Sequence, residues 1–388
     1  MDANAPCFHG GAFFSAIGPG FDALDRRHDV LNADVLDAWF DPAPGVLAAL
    51  AEHLPWLLRT SPPTHAEGLT AAVGRARGVP EAAILAGAGS SALVFLALRQ
   101  WLTPASRVLL VDPTYGEYDH VCTHVVGCRV DRSPLDSGAH GYRLDLDRWL
   151  GALHAGAYDV AVLVHPNNPT GTAVARADLE AALRAVPART RVWVDEAYVD
   201  YLGPDASVER FAAAHPNVVV CKTMSKTYAL SGARVGYLCA APAVLAPLRG
   251  LTPPWAVSLV AQVAAVAALA APAYYAARYA ETHALRAALA GALRATGAFA
   301  AVHEGAANSV IAHLPASGPD AAALAAACRA RSLFVRDVGT MGPSVGARTV
   351  RLAVKDAATQ ARVVERLRAA LAALGVRVAE PAVPELAA

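Results

Sequence analysis

From about residue 80 onward, short apolar runs alternate with longer stretches of helical composition. The runs are AAILA (82–86), RVLLVD (107–112), VAVLVH (160–165), RVWVDEA (191–197), NVVVCK (217–222) and VGYLCA (235–240). None alternates in and out as a half-exposed strand would. Near-continuous apolar strands are covered on both faces by crossover helices, which predicts a mostly parallel α/β sheet. Helices are expected over 91–101 and 176–186. Past Pro253-Pro254 the texture turns Ala-rich and helical to about residue 296, followed by strand patterns at 308–313, 334–338 and 348–354 and a helix over 357–374. This change predicts an N-terminal arm (1–45), a large domain (46–250) and a smaller C-terminal α+β domain (251–388), divided near 249–254. The run CTHVV, with Cys122 and His124, also reads as strand-like and is assigned no chemistry. The tail AEPAVPELAA reads as frayed.

Composition narrows the function classes. A chain of 388 residues and 40.1 kDa has room for two cores. Its hydrophobic fraction of 55% is inflated by alanine. The most apolar run, 256–271, holds Ser258 and Gln262 and falls short of the roughly 20 residues a spanning helix needs, so a buried helix and no membrane partner are expected. The opening MDANAPCFHGG lacks the basic and apolar regions of an export signal, and the six cysteines form no CxxC pair or Cys/His cluster. Together these predict a cytoplasmic protein with free thiols and no metal. Lys+Arg and Asp+Glu balance at 33 each without a basic block, which leaves nucleic acid without an electrostatic footprint. The expected ligand is a small molecule.

Ligands of open α/β sheets bind at the carboxyl ends of the strands, and five predicted strand ends carry polar or aromatic groups. They are Gly87-Ala88-Gly89-Ser90, Thr114-Tyr115, Pro166-Asn167-Asn168-Pro169-Thr170-Gly171, Asp195-Glu196-Ala197-Tyr198 and Thr223-Met224-Ser225-Lys226. Singly, each has a plain structural reading: a turn, a helix cap, core packing or a solvated lysine. In combination, NNPTG, then DEAY, then SKxxxxxGxRxGY resembles the pyridoxal-phosphate-dependent aminotransferases of class I/II, particularly the branch holding histidinol-phosphate aminotransferases and threonine-phosphate decarboxylases. Lys226 follows Asp195 by 31 residues, a usual separation there, and the resemblance runs from about residue 30 to 355.

The resemblance implies the cofactor pyridoxal 5'-phosphate and a role for each residue. Lys226 would hold the cofactor aldehyde as a Schiff base, which needs an amine that loses its proton readily. Asp195 would keep the pyridine nitrogen protonated and the ring electron-poor. Asn168 and Tyr198 would donate to the phenolic oxygen, and Tyr115 would stack on the ring. Gly89 and Ser90 with backbone N–H groups, Thr223 and Ser225 with hydroxyls, and Arg234 with its guanidinium would take the phosphate. Gly232 and Gly236 would permit close backbone approach. Arg351 corresponds to the clamp on the substrate carboxylate, and Arg336 is either a reader of a distal acidic group or a plain salt bridge.

Three stretches depart from or bear on the pattern. His9-Gly10-Gly11 resembles the opening of the threonine-phosphate decarboxylases, which would place His9 beside the substrate, although an arm without a role reads equally well. Residues 32–40 (NADVLDAWF) replace the family's Asn-Pro-rich loop with acidic and aromatic residues that would reshape the substrate entrance. In RTSPPTH (59–65), Ser61 stands where the family's interface-crossing tyrosine would be. A homodimer is expected, with this segment and the arm reaching across. The leading reading is an amino-acid aminotransferase. The alternative is a related decarboxylase, or an elimination, substitution or cyclisation enzyme of specialised metabolism. A competing nicotinamide fingerprint, Gly87-x-Gly89-x-x-Ala92 with Asp112 ending the next strand, leaves Asp195, Lys226 and Arg234 unexplained.

Overall fold

The computed structural model describes residues 10–138 and 141–379. Its larger sheet has seven strands in the order Ile84–Gly87, Gly236–Cys239, Val218–Thr223, Arg191–Asp195, Val160–Val164, Arg107–Asp112, Arg129–Pro134. Gly236–Cys239 runs antiparallel to both neighbours, and the other pairs are parallel. The period of two is present although both faces are apolar. Leu109, Val111, Ala161, Leu163, Val192 and Val194 enter one layer with Trp149, Leu153 and Leu179. Val108, Leu110, Val160, Val162, Trp193 and Cys221 enter the opposite layer with Leu93, Leu98 and Leu248. Each fully buried Val or Leu contributes about 1.5–3 kcal/mol, so these two layers dominate the folding energy.

A second sheet of five strands runs in the order Leu31–Ala33, Leu333–Asp337, Thr349–Ala353, Ser309–His313, Ala301–Glu304. It packs on helices Pro272–Ala295, Ala321–Arg329 and Ala357–Ala373 through Leu289, Leu293, Leu324, Leu367 and Leu371. Residues expected in the arm thus supply its edge strand, Leu31 pairing in parallel with Leu333. The Ala-rich run resolves into helices Leu259–Leu269 and Pro272–Ala295, bent by 81°, and among the described residues no single helix is long and apolar enough to cross a membrane. Ser258 caps the start of the first of these by accepting the Ala261 N–H.

The CTHVV reading is corrected. Val121–Val126 is a wide helical turn continuing Gly116–His120. Its β-branched residues mimic a strand, but Tyr118, Val121 and Cys122 face the core together at helical spacing. The strand Arg129–Pro134 was not expected, because as a sheet edge it carries the polar residues Asp131 and Arg132. Helices Pro44–Arg59 and Glu67–Arg77 precede the part of the chain whose pattern was legible. Cys7, His9 and the tail from 380 lie outside the described residues.

Candidate active site

The carboxyl ends of the central strands open toward the second sheet, and one corner there is a cradle for an anion. Strand Ile84–Gly87 ends, Gly89 turns with φ +85°, and helix Ser90–Trp101 begins. A helix start presents unpaired N–H groups and the positive end of its dipole. Opposite it, Thr223 Oγ1 lies 2.9 Å from Ser225 Oγ, and Arg234 Nη1 donates to Ser225 Oγ at 3.2 Å. Both positions call for glycine, 89 through its positive φ and 236 through backbone on two sides. A Cβ at position 89 would lie 2.4 Å from Arg234 Nη2, and one at 236 would lie 2.6 Å from the Lys222 carbonyl and 3.2 Å from the Ser90 nitrogen. Gly232 meets no such neighbour, so its predicted close approach is not seen.

Asp195, the last residue of its strand, is 5% exposed. Its Oδ2 accepts from the Tyr118 hydroxyl at 2.7 Å and its Oδ1 from the Ala197 N–H at 3.0 Å. Trp193 Nε1 in turn donates to the Tyr118 oxygen at 2.8 Å. Burial pushes the Asp195 carboxyl up to about 6 against these hydrogen bonds, with Glu117 adding repulsion, and no cation among the described residues counters it. Tyr115 donates to Glu117 at 2.8 Å and stands edge-on to Tyr118 with centroids 6.0 Å apart.

Lys226 lies in the turn beyond strand Val218–Thr223. Burial drives its amine below the ordinary lysine range, and Arg351 and Arg234 push the same way, while Asp37 alone opposes them. Asp37 Oδ1 accepts from Lys226 Nζ at 3.1 Å. Tyr198 is buried, and its phenol is pushed up by burial, with Arg351 pulling it down and Asp195 and Asp37 raising it. Its hydroxyl therefore sits in the field of both carboxylates and of Arg351, which puts these groups in one pocket.

Arg351 reaches that pocket from strand Thr349–Ala353. It is 3% exposed, donating through Nη1 to Asn168 Oδ1 and through Nη2 to the Asp34 carbonyl at 2.8 Å, while its Nε–H has no acceptor among the described residues. Burial, then Arg336, lowers its guanidinium to about 10. Arg336 is its cross-strand partner and is ion-paired with Asp34 at 2.6 Å. Asn168 Nδ2 approaches the Tyr198 hydroxyl at 3.4 Å, which joins these residues into a chain. Asn167 instead donates to the Pro113 carbonyl at 3.0 Å and Thr170 Oγ1 at 2.9 Å and locks the turn. Gly10, with φ +88°, packs against Arg336, since a Cβ there would lie 2.6 Å from Nη2.

All predicted site residues except His9, which lies outside the described residues, stand at this end of the sheets. Sequence reasoning missed Tyr118, Asp34, Ser231 and the contact of Asp37 with Lys226. For Tyr118 a signal existed: in TYGEY it follows Tyr115 by three positions, helical spacing that puts both rings on one face.

Residues 40–371 match the aminotransferase class I and II family model, and the chain belongs to that family of transferases. It is 37% identical over 301 residues to an aromatic amino acid aminotransferase of Rhodococcus jostii, covering 78% of this chain and 81% of that one. It is 34% identical over 242 residues to a histidinol-phosphate aminotransferase of Symbiobacterium thermophilum, covering 62% and 65%. The fold matches the crystal structure of histidinol-phosphate aminotransferase from Sinorhizobium meliloti in complex with pyridoxal-5'-phosphate with a TM-score of 0.80, at 23% identity over 95% of this chain and 99% of that one. Family membership removes the nicotinamide alternative, whose acid, Asp112, is buried and accepts from the Ser344 N–H at 3.2 Å.

Proposed function

We propose that this protein is a pyridoxal-5'-phosphate-dependent aminotransferase exchanging an amine between an amino acid and a 2-oxo acid, as a cytoplasmic homodimer. The observation that carries the reading is Asp195: a buried carboxylate given hydrogen-bond donors but no cation, at the same strand ends as an anion cradle and an amine with a loosened proton. A buried, uncompensated carboxylate costs several kcal/mol, so the site fits a ligand with a protonated ring nitrogen. The close contact of Gly89 with Arg234 and the orphaned Arg351 Nε–H fit two further anionic groups.

When bound, the cofactor supplies an aldehyde that condenses with amines and a ring that draws electrons from the bonds at the substrate Cα. Asp195 holds the proton on the ring nitrogen. Gly89, Ser90, Thr223, Ser225 and Arg234 hold the phosphate, each charge-assisted hydrogen bond contributing roughly 1.5–3 kcal/mol. Asn168 and Tyr198 would hold the phenolic oxygen, and Tyr115 would pack on the ring. Arg351 orients the substrate carboxylate, and Lys226 Nζ carries the proton to and from Cα. Arg336, already matched by Asp34, acts on the substrate through Arg351, and His9 remains a candidate contact.

For the homodimer, the supporting observation is a cavity of about 420 Å³ lined by Thr64, His65, Arg249, Pro253 and Val257, with Leu251 and Trp255 interleaved and exposed. Trp56 and Leu58, equally exposed, lead into the 59–65 segment, and such a surface is what a second copy would cover.

The test is to load the purified protein with pyridoxal phosphate and add amino acids one at a time. The expected result is a visible absorption band that shifts to that of the aminated cofactor, with the matching 2-oxo acid detected by mass spectrometry. Release of CO2 or of a side-chain group with the original band restored would place the protein among the decarboxylases or elimination enzymes instead. Lys226→Ala should abolish the band and the turnover.

A further inference from the structure

The acidic segment that replaces the family's Asn-Pro loop is built to deliver one carboxylate to Lys226. Asn32 Oδ1 accepts from the Asp34 and Val35 N–H groups at 3.2 and 3.1 Å, which sets the turn after strand Leu31–Ala33. Arg351 binds the Asp34 carbonyl and Asn308 Nδ2 the Leu36 carbonyl at 3.2 Å, while the Leu36 side chain is buried with Ala197, Tyr198 and Tyr201. The next residue, Asp37, then has its Oδ1 3.1 Å from Lys226 Nζ and 2.7 Å from Ser231 Oγ. With Trp39 Nε1 donating to Thr282 Oγ1 at 2.8 Å on the far side, this loop side chain is fixed on both flanks and is positioned, not accidental.

We propose that Asp37 is the resident counter-ion of Lys226, holding Nζ as an ammonium and so setting the pH at which the amine turns nucleophilic. The inference rests on the reading of Lys226 as the reactive amine. It makes Asp37 a positioning residue that acts through Lys226.

The surrounding charges fix the sign. Asp37 faces Lys226 and Ser231 from one side and Lys355, which follows strand Thr349–Ala353, from another; burial raises its carboxyl, and these neighbours outweigh that and hold it below its ordinary value. Lys226 faces Asp37, Arg351 and Arg234, and burial and both arginines favour its neutral form. Lys355 adds its own charge to the same group. Among the described residues, Asp37 is the one that keeps the proton on Nζ. Without it, Lys226 becomes neutral at lower pH.

The experiment is performed on the full chain freed of cofactor. Lys226 is pulse-labelled with an amine-acylating reagent across a pH series and quantified by peptide mass spectrometry. In Asp37→Asn the midpoint of labelling should move to lower pH, with about a tenfold faster reaction below the midpoint for each pH unit moved. Ser231→Ala should shift it the same way by less, and Asp37→Glu should restore it toward the parent value. A midpoint in Asp37→Asn that stays put or rises, in protein with unchanged circular dichroism and unfolding midpoint, overturns the proposal. Borohydride reduction of the parent protein with pyridoxal phosphate keeps the two readings separable. An adduct on Lys226 together with an unmoved midpoint sinks the Asp37 role alone, and a missing adduct sinks the cofactor reading.

Discussion

Two lysine–aspartate sets lie a few residues apart in this chain and are handled in opposite ways. Lys222 Nζ is 3.2 Å from Asp200, 3.6 Å from Glu209 and 3.9 Å from Glu196, and Arg77 joins Asp200 at 3.0 Å and Glu209 at 3.5 Å. Burial alone would raise Asp200, but Arg77 and Lys222 outweigh it and hold the carboxyl well below the usual range. Asp195 is also buried and Lys226 half-buried, yet each stands without the other as partner: burial pushes Asp195 up to about 6 and Lys226 down. Charge pairing, more than burial, therefore separates the structural lysine from the reactive one. In the first cluster opposite charges cancel, and in the cleft they are kept apart for a ligand to join.

The sharpest way to break this contrast is to remove each lysine in turn. Lys222→Met leaves Asp200 and Glu209 with Arg77 as their only close cation among the described residues, and Glu196 with none. Breaking a buried pair from one side costs about 3–5 kcal/mol, to be read in urea unfolding. Lys226→Met removes an amine whose one ion pair among the described residues, with Asp37, is between partly exposed side chains, so its unfolding free energy should stay within about 1 kcal/mol of the parent. Equal losses would show that the two sites are not built differently.

Much of this was legible in the pattern, for definite reasons. The apolar runs marked six strands of the larger sheet because both faces are covered, whereas Arg129–Pro134, an edge with polar residues, carried no such signal. Motif spacing singled out Lys226 over Lys222, since SKxxxxxGxR describes a turn and an anion cradle, while a lysine inside VVVCKT reads as strand. Contacts made across long separations were out of reach. Nothing local tells that Asp37 meets Lys226, that Asp34 matches Arg336, or that Asn167 locks the turn while Asn168 enters the cleft. The expected arm hid a strand because Leu31–Ala33 finds its partner only at Leu333.

A second test is the pH dependence of stability. Burial pushes Glu196 up to about 7 from 4.5, against the pull of Lys222. The folded state then binds that proton more tightly than the unfolded chain, so its stabilising effect is present below the ordinary glutamate range and is lost as pH rises toward about 7. Asp195 gives a slope of the same sign, but one that is over by about 6. Asp200, held low, loses its contribution only in acid below its ordinary value of 3.8. Urea unfolding between about 6 and about 7 should thus show a decline that Glu196→Gln removes. A decline that survives in that variant would mean the Lys222 cluster already carries a full negative charge.

The finest distinction concerns what Asp195 has in place of a cation. Its Oδ2 depends on one phenol, and the Tyr118 oxygen also takes the Trp193 N–H, in a wholly buried line from indole to hydroxyl to carboxylate. Tyr118→Phe keeps the ring packing and removes that single hydroxyl, leaving a buried donor and a buried acceptor each short of a partner, at a cost of about 1–3 kcal/mol. It also deletes the hydrogen bond that lowers Asp195, so the carboxyl should climb further above its present value of about 6. Because the cofactor's ring nitrogen calls for the ionised carboxylate, binding of pyridoxal phosphate should weaken on the acid side, with its midpoint moved to higher pH. Fluorescence titrations of the parent and the variant across pH would read the shift directly. A variant that loses stability without moving the midpoint would show that the Ala197 N–H alone sets the charge of Asp195, and that the phenol is packing.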